Sequence, residues 1–174
     1  TYLSTTIPLT DGNMTNTAGN ELSVYGQWGY VKDDFQSILS ISQFQNKSGF
    51  FAGAHGIPSV NDAKSDGSER NIGMPYQQVN HTKVTYHAKW LNTHDVWDFK
   101  VGFQRNHRQE YSLFHSHYSN QVPPEINPNL ELDFKLNTLN AELSYKKDWL
   151  LDHTTILGVQ NQYQTNDITG YSYL

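Results

Sequence analysis

Residues 83–104 read Lys83-Val84-Thr85-Tyr86-His87-Ala88-Lys89-Trp90, then Leu91-Asn92-Thr93-His94-Asp95-Val96, then Trp97-Asp98-Phe99-Lys100-Val101-Gly102-Phe103-Gln104. Both outer blocks alternate with a period of two. Val84, Tyr86, Ala88 and Trp90 fall on one side, with Lys83, Thr85, His87 and Lys89 on the other. Trp97, Phe99, Val101 and Phe103 oppose Asp98, Lys100, Gly102 and Gln104 in the same way. A helix would repeat its apolar positions every three or four residues, so this pattern reads as two strands. The polar link Asn92-Thr93-His94-Asp95 is too short to return the chain to a parallel neighbour, which needs a crossover of roughly a dozen residues. The pair is therefore an antiparallel hairpin.

The same alternation recurs on both sides. Leu22, Val24, Gly26, Trp28 and Tyr30 oppose Glu21, Ser23, Tyr25, Gln27 and Gly29. Phe35, Leu39 and Ile41 oppose Gln36, Ser40 and Ser42. Leu139, Ala141, Leu143 and Tyr145 oppose Asn140, Glu142 and Ser144, and Leu157, Val159 and Tyr163 oppose Gly158, Gln160 and Gln162. Six antiparallel strands are expected, over about residues 21–31, 35–46, 76–90, 96–110, 130–145 and 150–165. Short turns near Lys32-Asp33-Asp34, Asn92–Asp95 and Lys146-Lys147-Asp148 alternate with long polar connections, Asn46–Pro75 and Tyr111–Asn129, after a polar stretch Thr1–Asn20. Short turns at one end and long polar loops at the other are the asymmetry of outer-membrane barrels. The strand lengths suit a tilted bilayer crossing, which takes ~9–11 residues.

Composition narrows the class. The 174 residues contain no cysteine, which removes disulfides and thiolate metal sites. Charged residues are 17% and the net charge is −5, so no basic footprint for nucleic acid exists and no nucleic-acid partner is expected. Hydrophobic residues are only 36%, yet aromatics reach 13%, with eleven Tyr, eight Phe and four Trp. A wet-walled barrel with long polar loops reconciles the two figures, and the aromatic content argues against disorder. Trp28, Trp90, Trp97 and Trp149 each lie within a few residues of a short turn, as a membrane-interface girdle requires. No stretch approaches the ~18 apolar residues of a membrane helix. Thr1–Thr10 has no initiator Met and no signal-peptide pattern, so the numbering is expected to start inside a longer protein. The fold expected is all-β, an up-and-down transmembrane β-barrel segment over residues 1–174. Six strands are too few to close in lipid, where open edges are costly, so a partial barrel is expected, with self-association through free sheet edges.

Three stretches resemble a known family. Gly49-Phe50-Phe51-Ala52-Gly53-Ala54-His55-Gly56-Ile57-Pro58 resembles an extracellular-loop segment of one group of TonB-dependent outer-membrane receptors. Val101-Gly102-Phe103-Gln104-Arg105-Asn106-His107-Arg108-Gln109-Glu110-Tyr111 resembles a Gly-aromatic-Gln-x-Asn-x-Arg-x-Glu strand end of their barrels. Leu157-Gly158-Val159-Gln160-Asn161-Gln162-Tyr163-Gln164-Thr165-Asn166-Asp167 is similar to a later strand of that group. The resemblance implies a barrel of about 22 strands around an N-terminal plug. It also implies energy from TonB and its inner-membrane complex, and active uptake of a scarce nutrient such as a ferric siderophore or haem. The location implied is the outer membrane of a Gram-negative bacterium, in contact with lipid. No plug or TonB-contacting segment is recognisable here, so the chain is read as the barrel part only.

A small-molecule ligand is expected at the external loops Asn46–Pro75 and Tyr111–Asn129. Candidate contacts are His55, Arg70, Arg105, Arg108, His115 and His117. The arginines would attract an anionic chelate. His115-x-His117, beside His107 and Glu110, is the densest imidazole cluster, and imidazole ligates iron and zinc. Spacing fixes no third ligand, so an exposed polar loop is expected there, with no metal centre and no cofactor. Lys83, His87, Lys89, Asp98, Lys100 and Glu142 should face the lumen, and Glu131 with Asp133 read as strand-surface charges. No nucleophile elbow, phosphate-binding loop or zinc-protease motif is found, so an enzyme is not expected. Two competing readings are a secreted soluble β-sandwich binding carbohydrate through exposed aromatics, and a passive porin or structural barrel.

Overall fold

The computed structural model describes residues 2–6, 9–10, 16–50, 72–149 and 153–173. The chain is all-β, in one antiparallel sheet. Six long strands follow one another as a meander: β3 (Gly19–Lys32), β4 (Phe35–Gly49), β5 (Tyr76–Leu91), β6 (Asp95–Tyr111), β7 (Leu130–Trp149) and β8 (His153–Thr169). Two short strands, β1 (Tyr2–Thr6) and β2 (Leu9–Thr10), pair with β3. The region before Asn20, expected to be a polar lead-in, thus supplies an edge. Its five-residue β1 is too short and too polar to betray itself by alternation, and it forms because β3 offers a free edge. The last strand runs over residues 153–169, where about 150–165 was expected. A 3-10 turn, Tyr171–Tyr173, follows it, and no α-helix occurs among the described residues. Among the described residues no helix is long and apolar enough to cross a membrane. Among the described residues the sheet is open: β1 and β8 form its two edges.

Local chemistry explains the short turns. Asp33 adopts φ 50° in the two-residue link between β3 and β4, a conformation Asp tolerates better than most residues. Asn92 accepts from the Thr93 amide at 2.8 Å and donates its own amide to the Asp95 carbonyl at 2.8 Å. Neighbouring turns are tied by Leu91 N–H to the Asp34 carbonyl at 2.7 Å and by Asp148 N–H to the His94 carbonyl at 2.9 Å. At the opposite end Asn16 acts as a clasp. Its amide donates to the carbonyls of Phe50 at 3.0 Å and Pro75 at 2.7 Å, and its side-chain oxygen accepts from the Gly73 amide at 2.7 Å.

Strand register assigns every side chain to a face, because residues paired across a ladder point the same way. One row runs Phe35, Trp90, Trp97, Tyr145, Leu157. The next three are Tyr30, Ser37, Ala88, Phe99, Leu143, Val159; then Trp28, Leu39, Tyr86, Val101, Ala141, Asn161; then Gly26, Ile41, Val84, Phe103, Leu139, Tyr163. All four tryptophans share this face, Trp149 included, and none is covered: they are 46, 60, 48 and 55% exposed in chain order. Toward the long-loop end the same face turns polar, first with Gln43, Thr82, Arg105 and Asn137, then with Gln45, Asn80, His107 and Lys135.

The opposite face differs. At the short-turn end it carries Lys89 beside Asp98 and His87 beside Lys100 and Glu142; at the long-loop end it is mixed, with Phe44, Val79, Phe134, Leu136 and Ile168 interleaved with His81, Asn106 and Arg108. The continuous apolar band is therefore confined to one face and to the turn-proximal two thirds of the strands. A water-soluble sandwich needs one continuous apolar face for a second sheet to cover. Neither face is covered by a second sheet among the described residues.

Candidate functional site

A polar assembly forms at the long-loop end, where three of the described segments meet. Ser112, His115 and His117 enter with the segment after β6. Glu131 stands at the start of β7. Tyr171 and Ser172 arrive on the 3-10 turn after β8. A register shift at Glu110/Tyr111 lets β6 leave the sheet there, and Ser112 N–H is caught by the Asn129 carbonyl at 3.0 Å. Gly170, at φ 122°, sends the chain back over Glu131, close enough that a side chain would collide with the Glu131 carbonyl. Only glycine adopts that backbone readily.

Tyr171 is wholly buried and Glu131 is 8% exposed. The Tyr171 phenol is hydrogen-bonded to the Ser112 hydroxyl and lies 3.2 Å from His115 Nδ1. Its ring packs edge-on against Phe114 with centroids 5.2 Å apart. Burial pushes the phenol's pKa up, and the negative charge of Glu131 adds to this, against a smaller opposing effect of the Ser112 hydrogen bond. The Glu131 carboxylate accepts from Ser112 Oγ at 2.9 Å and from Ser172 Oγ at 3.3 Å. Ser172 Oγ also lies 3.1 Å from His117 Nε2, which is itself 3.8 Å from Glu131 Oε1. The His115 and His117 rings stand 4.6 Å apart, and one nitrogen from each lies with a Glu131 oxygen in a group no wider than 4.8 Å. These are the residues that could hold a metal.

Two further clusters lie on the strands. Asp133 contacts His107 at 2.6 Å, Lys135 at 3.2 Å and Gln109 at 3.4 Å. Asp98 contacts His87 at 2.8 Å and Lys89 at 3.1 Å, while Lys100 bridges to Glu142 at 2.9 Å. The second cluster gathers all but Lys83 of the residues expected to face a lumen, and Lys83 shares their face.

Of the expected contact residues, His55 and Arg70 lie outside the described residues. Arg105 and Arg108 occupy opposite faces of β6, and Arg108 is ion-paired to Glu110. They do not converge on one ligand. His115 and His117 do come together. Glu131 and Asp133, read from sequence as strand-surface charges, are instead 8 and 9% exposed, each held against histidine. The correction has a tertiary cause: the segment after β6 and the turn after β8 cover Glu131, and His107 on the adjacent strand covers Asp133. Comparison with known protein families, with curated proteins and with solved structures finds no match to this chain.

Proposed function

We propose that this chain is part of the wall of an outer-membrane β-barrel, in a TonB-dependent receptor that takes up a scarce nutrient such as a ferric siderophore or haem. One observation carries the barrel reading: four exposed tryptophans share one sheet face, near the short turns, on a band whose opposite face is charged and polar. Indoles at a membrane interface keep the N–H in water and the ring body in hydrocarbon. The uncharged outward run from Leu157 to Thr165 is about 27 Å along the strand, and a tilt of ~40° reduces its depth to roughly 20 Å. Outer-membrane barrels present an apolar band of about 25 Å, flanked by aromatic girdles. Arg105 stands at the edge of that band, in the row of Thr165, and beyond it the outward face carries Lys135 and Asp167, suited to water above the membrane.

The receptor class rests on the three stretches that resemble that family. In this reading the partners are a plug, TonB with its energising complex, lipid, and a small ligand at the loops. The sandwich alternative has no covering sheet among the described residues to support it. Quenching of tryptophan fluorescence by lipids brominated at graded depths tests the placement. Strong quenching by shallow bromines and weak quenching by deep ones is expected; no quenching in protein reconstituted with such lipids would reject the membrane reading.

A further inference from the structure

We propose that His115, His117 and Glu131 form a binding site for a divalent transition cation of the zinc class, with exchangeable solvent completing the coordination. This inference is independent of the membrane reading, since it uses only the cluster at the long-loop end. The donor set is two imidazoles and one carboxylate. That set suits Zn²⁺ and its neighbours, whereas Ca²⁺ and Mg²⁺ require more oxygen ligands. Three protein ligands around a tetrahedral zinc leave one coordination position for water or an incoming group.

The dimensions fit. Ligand atoms about 2.1 Å from a tetrahedral ion stand roughly 3.4 Å from one another. The His117 Nε2 to Glu131 Oε1 separation is 3.8 Å, and the whole group lies within 4.8 Å. Ångström-scale movement of the ligand side chains, of which His117 is exposed, closes the rest. A second observation concerns the groups behind the ligands. His115 Nδ1 lies 3.1 Å from the Leu113 carbonyl and 3.2 Å from the Tyr171 hydroxyl; in the tautomer whose Nδ1 proton is directed at that carbonyl, Nε2 keeps the lone pair for a metal. An imidazole that donates its other N–H to a backbone carbonyl is the usual support of a metal-bound histidine. Glu131 is likewise held in place, by Ser112 and Ser172. Ser172 Oγ already spans His117 and Glu131, occupying the hydrogen-bonding position that an ion would take over.

A structural salt bridge alone would need one histidine. Here two imidazoles stand 4.6 Å apart beside one nearly buried carboxylate, a set of donors able to share one cation.

The test uses tag-free protein, folded in detergent, stripped with chelator and then freed of it. Titration with Co²⁺, read by visible absorption, and with Zn²⁺, read by calorimetry, should each show one site per chain. The His117→Ala and Glu131→Gln variants should weaken binding by at least about tenfold, the lower end of what even an outer-shell partner contributes. His81→Ala, remote from the cluster, should leave it unchanged. X-ray absorption of the zinc-loaded wild-type protein should show two imidazoles and needs no variant to fold. Absence of one-to-one binding, unaltered affinity in a His115→Ala/His117→Ala double variant, or a zinc shell without imidazole would each overturn the assignment.

Discussion

Tyr171 joins the segments that follow β6 and β8 at the long-loop end. It is the largest wholly buried side chain among the described residues, and it touches Ser112, Phe114 and His115 at once. Its position depends on Gly170, whose φ of 122° excludes other residues without strain. A Gly170→Ala substitution should cost about 1–3 kcal/mol in backbone strain alone, before its clash with Glu131. Chymotrypsin should then cut after Tyr171 far faster than in the parent chain, whereas equal cleavage rates would show that the turn does not depend on this glycine. The phenol also sets a pH limit. Its folded pKa is raised by burial, so its contribution is complete below the ordinary tyrosine value near 10 and is lost as pH climbs through the higher folded value. Subtracting the alkaline ultraviolet titration of Tyr171→Phe from that of the parent should leave one tyrosine ionising later than usual. A difference curve centred on the ordinary value would contradict the burial.

At the scale of elements, the confinement of the apolar band to one sheet face yields a test of which side meets lipid. Leu139 lies outward in the apolar band and is 45% exposed; Asn140 beside it points to the polar face. Leu139→Arg should destabilise the folded, lipid-embedded state by about 2–4 kcal/mol, and Asn140→Arg by close to zero. Urea titrations of folding into phosphatidylcholine vesicles measure both, and similar losses would mean that the faces have been assigned the wrong way round. Much of this level was legible in the sequence. A period of two is a local signal, so Trp90 and Trp97 announced the hairpin that register now pairs directly. The strand β1 was not legible, because Tyr2–Thr6 acquires its structure only from the edge of β3. Nor was the third member of the His115–His117 cluster. Glu131 sits fourteen residues beyond His117, and it is brought there by the register shift at Glu110/Tyr111 and by the turn at Gly170. No spacing rule carries such information.

For the whole molecule the decisive feature is the pair of edges. All seventeen residues of β8 are exposed, and its outer row of N–H and C=O groups has no strand beside it among the described residues. At the other edge β1 covers the part of β3 from Ser23 to Gln27 and β2 covers Gly19 and Asn20, so among the described residues nothing pairs with the turn-proximal residues of β3 on that side. In water such edges template pairing with another chain, and natural sheets blunt them with charge, proline or bulges. None of these devices interrupts β8 from Thr154 to Asn166, which carries no charged residue and no proline. In hydrocarbon the demand is stricter, because each unpaired backbone group costs several kcal/mol and spanning sheets must close. A strand so long and unprotected is built to be paired. The chain expressed alone and folded in detergent should therefore associate into dimers or larger species through β8, with mass read by sedimentation equilibrium at matched density. Placing proline at Gln160 and Gln162, in the middle of that edge, should shift the distribution toward monomer by removing ladder donors. If the unaltered chain sediments as a monomer across its concentration range and its β8 amides resist hydrogen exchange, the edge must be covered by the chain itself, and the wall-segment reading fails.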